Sequence, residues 1–279
     1  MSRSPLVTFM GTTPNIGTTV AAYATACRLA EGSGMPVGYL CLNLKSSKLH
    51  RYLRVDRPGA SLDRLRPELH AATLTPEKLK LAAYRPPGMP NLYVLFGNLM
   101  RDQAEFYRPE EIEHLLEAAM SAFRMTVADV SAYWDNAATI TANRLADSRI
   151  VVTTSALSHF QEDGRRWLAS SSPLFGIPAD AYETVIVEPP WRNGGYSMKD
   201  VQKEIGLASI GELRVTEPML IGLDNGSLQE WLREDEQGRS AMRGASERLM
   251  DRYGVRFGGQ LVQRPWYRKL LAHRQGAGS

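Results

Sequence analysis

Hydrophobic runs of strand length alternate with helix-length segments along most of this chain. Leu6 to Met10 suits a buried strand and leads into a small-residue helix, Ala21 to Glu31. Val37 to Leu42 and Asn91 to Leu95 read as the next strands. They are followed by a helix from Pro109 to Phe123, a strand from Met125 to Val130, a helix around Asn136 to Leu145 and a strand from Arg149 to Thr153. The alternation continues with a strand at Thr184 to Val187 and a helix from about Ser197 to Ile205, opened by a capping box of Ser197 and Asp200. A short strand near Ala208 to Leu213 and a helix from Arg239 to Tyr253 complete it. Such alternation predicts an α/β fold, a doubly wound and mostly parallel sheet with crossover helices.

The chain has 279 residues, of which 43% are hydrophobic and 23% charged, enough for a large core in one domain. We expect one globular domain over residues 1–258 and a basic amphipathic tail over 259–279. No apolar run approaches the roughly 18 residues that cross a bilayer, and Met1 to Pro5 leads straight into a strand, so a cytoplasmic protein is expected. Cys27 and Cys41 sit in apolar surroundings as core thiols, and the five histidines are scattered, which predicts no zinc site and no disulfide framework.

The net charge of +3 is unevenly placed. Residues 239 to 279 hold nine arginines and lysines against Glu247 and Asp251, a local +7 that leaves −4 elsewhere. Arg239, Arg243, Arg248, Arg252 and Arg256 recur at four- to five-residue spacing, a basic stripe for nonspecific DNA phosphate contacts or a solvated face. Trp266, Tyr267, Leu270 and Leu271 share one helical face with Arg268 and Lys269 nearby, a pattern suited to anionic lipid or to docking on protein.

The candidate chemistry lies in Gly11-Thr12-Thr13-Pro14-Asn15-Ile16-Gly17-Thr18-Thr19, between the first strand and helix. Strand, tight loop and small-residue helix start form the layout of a phosphate-binding P-loop, with backbone N–H groups and a helix N-terminus facing the anion. Gly17 permits the turn and Thr19 stands where a Mg²⁺-binding hydroxyl belongs. Thr18 stands in place of the clamping lysine, and Pro14 has no N–H to give. Losing one charge-assisted bond weakens triphosphate binding by about one or two orders of magnitude.

These residues, with the order of segments around them, resemble the MinD/ParA class of P-loop ATPases, whose deviant Walker A reads roughly Gly-Lys-Gly-Gly-x-Gly-Lys-Thr. Carried over by position, its signature lysine falls on Thr13, its glycine pair on Pro14 and Asn15, its second lysine on Thr18 and its last threonine on Thr19. Val37 to Lys45 resembles the second strand, with Asn43 and Lys45 in place of two aspartates. Thr126 to Ser131 resembles the strand that carries the magnesium-associated aspartate, here Asp129. Ala146 to Thr154 is similar to the next strand, Glu188 replaces a base-contacting asparagine, and Tyr196 to Leu213 resembles the late helix–strand unit. The likeness covers about residues 5 to 255. Asn91 to Gly97, followed by Tyr107 to Leu116, most resembles the CpaE/TadZ branch, which serves Tad (Flp) pilus assembly and tolerates degenerate P-loops.

The resemblance implies a degenerate ATPase that localises or scaffolds a cell-envelope machine such as that pilus system. Nucleotide would meet Asn15, Ile16, Gly17, Thr18 and Thr19, magnesium would meet Thr19 and Asp129, and ATP would bind weakly. It further implies a homodimer with Pro14 and Asn15 at its interface, and partners among pilus or secretion components. Peripheral contact with the inner face of the plasma membrane would run through Trp266, Tyr267, Arg268, Lys269, Leu270 and Leu271. Two alternatives stay open: a slow ATPase switch with Lys45 or Lys48 replacing the lost lysine, and a ParA-like partition protein.

Overall fold

Seven strands pair side by side into one parallel sheet in the order β3-β2-β4-β1-β5-β6-β7. They are β1 (Leu6–Gly11), β2 (Val37–Cys41), β3 (Leu92–Leu95), β4 (Met125–Ser131), β5 (Ser148–Thr154), β6 (Tyr182–Glu188) and β7 (Ser209–Arg214). The computed structural model describes residues 3–190 and 196–255. β1, β2 and β4 are buried at every position, as expected where helices cover both faces of a parallel sheet.

The helices, in chain order, are α1 (Thr18–Ser33), α2 (Leu49–Tyr52), α3 (Leu62–His70), α4 (Pro76–Ala82), α5 (Pro109–Ala122), α6 (Ala137–Leu145), α7 (Met198–Ile205), α8 (Glu217–Asn225), α9 (Leu228–Glu234), α10 (Glu236–Ser240) and α11 (Arg243–Arg252). Strand periodicity divides the core between the two faces. Val7 and Phe9 of β1, Tyr39 of β2 and Val127 of β4 face the layer that contains α1, α9 and α11. Leu6, Met10, Leu40, Ala128 and Val130 face the other layer, with α3, α5 and α6.

α1 is alanine-rich and almost wholly buried, and it ends at Gly34 in the left-handed conformation. Arg28, on this helix, is a buried cation with a structural task. It donates to the carbonyls of Leu232 and Gly238 at 2.7 Å, to that of Ala241 at 3.4 Å, and to Glu31 at 2.5 Å. One guanidinium thus satisfies the orphan carbonyls where α9 and α10 end.

The expected strands and the α1, α5, α6 and α7 helices are present, and Ser197 with Asp200 forms its capping box. Three departures have local causes. The helix expected over Arg239 to Tyr253 is two helices, because Met242 takes a left-handed φ of 57° between α10 and α11. α8 and α9 fill a stretch that shows little periodicity, and residues between β5 and β6 form short π- and 3₁₀-helical turns around Pro173 and Gly176. The basic stripe is also divided in use. Arg252 holds Glu183 through two hydrogen bonds of 2.6 and 2.8 Å, and Arg248 donates to the Ser209 carbonyl at 2.9 Å. Arg256, Trp266, Tyr267, Arg268, Lys269, Leu270 and Leu271, with the expected tail, lie outside the described residues. Among the described residues no helix is long and apolar enough to cross a membrane.

Candidate functional site

A cavity of about 890 Å³ opens at the carboxyl ends of the strands, within the roughly 300–1,000 Å³ range of ligand pockets. β1 lies at the centre of the sheet between β4 and β5, so the loop leaving it sits where connections diverge to both sides, the place where open α/β sheets bind ligands. All five residues expected at phosphates, Asn15, Ile16, Gly17, Thr18 and Thr19, line this cavity. Ile16 also packs into the core and anchors the loop.

The loop's backbone is fixed by two left-handed positions. Gly17 has φ +100° and directly precedes α1, where no side chain caps the helix. The amide groups of the first turn therefore keep their hydrogen-bonding capacity, and a 16-residue helix adds its positive end. Asn15 adopts φ 63°, a conformation asparagine tolerates. Thr18 turns its hydroxyl back over Gly11, where a Cβ would collide with it. The side chain in the lysine's position is thereby folded against the loop and is only 7% exposed.

Sheet parity brings the expected metal pair together. Asp129 is an odd-numbered position of β4, like Met125 and Val127, and so points under α1. The Thr19 hydroxyl donates to its Oδ2 at 2.6 Å, the Tyr39 hydroxyl donates to the same oxygen at 3.1 Å, and the Ser131 N–H donates to Oδ1 at 3.1 Å. Burial pushes the Asp129 carboxyl above its ordinary value, against the pull of these three bonds. β4 bulges just beyond it, since Phe9 pairs with Asp129 but Met10 pairs with Ser131, and Ser131 takes φ 62° at the cavity wall.

The two replacement lysines part company. Lys45 is paired with Asp135 at 2.6 Å, stands 4.0 Å from Glu105 and lies over the Tyr133 ring, and it does not line the cavity. Its expected role as a phosphate clamp is therefore not the one the geometry gives it. Lys48 does line the cavity and, among the described residues, has no ion-pair partner. Asn43, in place of a carboxylate, accepts from the amides of Lys45 and Ser46 and shapes the turn that sets them apart. Asp135 belongs to Lys45, while Asn136 caps α6 by accepting from the Thr139 amide.

The opposite wall is apolar, with Tyr52, Leu157, Pro189, Met198, Met219 and Leu223. Sequence patterning missed Tyr39 and the α8 contribution. Tyr39 sits in an apolar strand, where only its phenol hinted at a partner. Thr216-Glu217-Pro218 before an apolar run and Gly226 after it would have marked α8.

A nucleotide suits the cavity's size and its backbone-lined end. Magnesium finds only a partial set, because Thr19 lines the cavity whereas Asp129 lies behind it, so such an ion would depend on phosphate and water for its other ligands.

No protein-family model matches the sequence, and no curated protein does. Solved structures match along nearly the whole length. A ParA family ATPase from Chlorobium tepidum TLS superimposes with a TM-score of 0.73 at 17% identity, covering 88% of this chain and 99% of that one. The chain has the ParA/MinD fold. MinD from Aquifex aeolicus in its complex with MinC gives a TM-score of 0.70 at 15% identity, covering 89% and 96%. MinD from Pyrococcus horikoshii OT3, solved with Mg-ADP, gives 0.70 at 14%, covering 90% and 98%. In this fold the loop between β1 and α1 carries no lysine or arginine.

Proposed function

We propose that this protein is a degenerate ParA/MinD-type ATPase that works by position rather than by turnover, as a dimeric localisation or scaffold protein for a cell-envelope machine. The observation that carries this is the loop itself. Its backbone turn, uncapped helix and Thr19–Asp129 bond are intact, yet Thr18 is folded onto Gly11 where an ammonium group would reach phosphate. Such a loop holds an anion through amides and lacks the charge that stabilises transferring phosphate. Asn15, Ile16, Gly17, Thr18 and Thr19 are the proposed nucleotide contacts, with Thr19 and Asp129 on the metal side. Pro14 and Asn15 are exposed at the rim, as a dimer contact requires.

The MinD from Aquifex aeolicus was solved with a protein partner, MinC, which accords with a scaffold use of the fold. A place in Tad/Flp pilus assembly is our finer proposal. It rests on the resemblance of Asn91 to Gly97 and Tyr107 to Leu116 to the CpaE/TadZ branch. A phosphate-release assay at millimolar ATP and magnesium tests the turnover claim. Release no faster than in a Thr19→Val control supports a scaffold, and sustained turnover that the control abolishes contradicts it.

A second reading has its own observation. Lys48 lines the cavity without an ion-pair partner among the described residues, so an active switch would draw its missing cation from there and not from Lys45. Loss of turnover in Lys48→Ala, with Lys45→Ala unaffected, would establish that switch.

A further inference from the structure

One imidazole in the cavity wall has a fixed orientation and no task in the site as described above. We infer that His159 is a ligand-binding residue, whose Nε2–H donates to a phosphoryl oxygen of the nucleotide held by the loop after β1. This deepens the proposal of a nucleotide site and rests on it.

The ring is held from one side. His159 lines the cavity, and its Nδ1 lies 2.8 Å from the Thr154 hydroxyl at the end of β5. The same hydroxyl oxygen accepts from the Ala156 N–H at 3.1 Å, so Thr154 is itself oriented by the turn that leaves the strand. A hydroxyl has one proton to give, and among the described residues Nδ1 is the acceptor within its reach. Thr154 therefore donates to Nδ1, and the neutral ring carries its own proton on Nε2. Nε2 has no hydrogen-bond partner among the described residues, yet it is not one of the unpaired polar atoms shut away in the core. The half-buried ring thus keeps an open donor on the edge opposite Thr154.

The placement puts this donor beside the phosphate loop. β5 is the immediate neighbour of β1, and the two strand ends are tied where the loop begins. There the Thr12 N–H donates to the Val152 carbonyl at 2.9 Å and the Thr12 hydroxyl donates to that of Thr153 at 3.2 Å. The π-helical turn that carries His159, Ser158–Gly164, packs on the same residue, since a Cβ on Gly164 would stand 3.3 Å from the Thr12 methyl group. π-helical turns are rare and frequently mark functional sites. This one opens with the His159 N–H on the Ala156 carbonyl at 3.0 Å, which keeps the ring close to the end of β5.

The chemistry matches what a nucleotide presents. Phosphoryl oxygens are acceptors, and the loop between β1 and α1 offers them amides and hydroxyls but no lysine or arginine side chain. A ring N–H held by a second residue adds a donor that is oriented before the ligand arrives. A histidine that only closes the turn would use Nδ1 alone, and its other nitrogen would not respond to ligand.

NMR titration of the full chain, with ¹⁵N-labelled histidine, tests the inference. The His159 signals are assigned by their loss in His159→Phe. We expect ATP with magnesium to move the Nε2 resonance of the wild-type chain, inorganic tripolyphosphate to move it likewise, and adenosine to leave it in place. His159→Phe keeps a planar ring without the donor and should weaken ATP by about tenfold or more, whereas His159→Gln, which offers an amide N–H, should recover most of that loss. Thr154→Val frees the ring and should weaken ATP by roughly three- to tenfold. The resonance is read in the wild-type chain, so the test stands even where a variant fails to fold. ATP binding that leaves Nε2 unmoved, or a shift produced by adenosine and not by tripolyphosphate, overturns the inference while leaving the nucleotide site standing. Failure of ATP to bind the wild-type chain overturns the nucleotide site itself, and the inference with it.

Discussion

The Thr19 hydroxyl and Oδ2 of Asp129 meet at 2.6 Å, tying the first turn of α1 to the end of β4. Tyr39 reaches the same oxygen from β2, so three elements converge on one fully buried carboxyl. Replacing Thr19 by valine keeps the shape and removes a donor to a buried acid. We expect a loss of about 1.5–3 kcal/mol in urea denaturation, with an unchanged slope. A loss below roughly 0.5 kcal/mol would show that water takes the donor's place.

Asp129 also predicts a pH dependence. Burial raises its folded-state pKa above its unfolded value, so the folded chain holds the proton more tightly. This contribution to stability is complete below the unfolded value of about 3.9 and is lost as pH rises through the folded one. Asp129→Asn removes it. The variant's stability relative to wild type should therefore be higher at pH 7 than near pH 4, measured by denaturation at both. An equal difference at the two pH values would mean that the carboxyl titrates alike in both states.

Arg28 supports a different part of the molecule. Its guanidinium serves the carbonyls of Leu232, Gly238 and Ala241 while buried at 4% exposure. Arg28→Met leaves these acceptors without a partner and should cost about 3 kcal/mol or more. Arg28→Lys should recover only part of it, because one ammonium cannot span the fork.

The Arg252–Glu183 pair is bidentate but half open, with side chains 41% and 22% exposed. Solvent screening limits it to about 0.5–1 kcal/mol, lost in Arg252→Ala and weakened by salt. Because this arginine is already engaged, the same variant should leave nonspecific DNA binding unchanged in a salt-dependent filter assay. A clear fall in DNA affinity would restore the basic stripe as a nucleic-acid surface.

How much of this was legible in the sequence depends on the range of each interaction. The strands, the P-loop layout and the Ser197–Asp200 cap follow from local pattern, and the Thr19–Asp129 pair follows from the segment order that resembles the ParA/MinD class. The sequence leaves Lys45 and Lys48 as equal alternatives for a replacement cation, because the partner that engages Lys45, Asp135, lies 90 residues away and depends on how two loops fold. Tyr39 escaped notice because alternation assigns a face but not a hydroxyl's partner. The break at Met242 needs a left-handed residue that is neither glycine nor asparagine, which leaves no compositional trace.

The loop after β1 has the backbone of a phosphate site without a basic side chain. Calorimetry of ATP and magnesium on the wild-type chain and on Thr18→Lys tests it most directly. Wild type should bind weakly, with a dissociation constant of roughly hundreds of micromolar or above, and supplying the lysine should tighten binding by about ten- to a hundredfold. Micromolar binding by the wild-type chain, with no gain from the lysine, would contradict it.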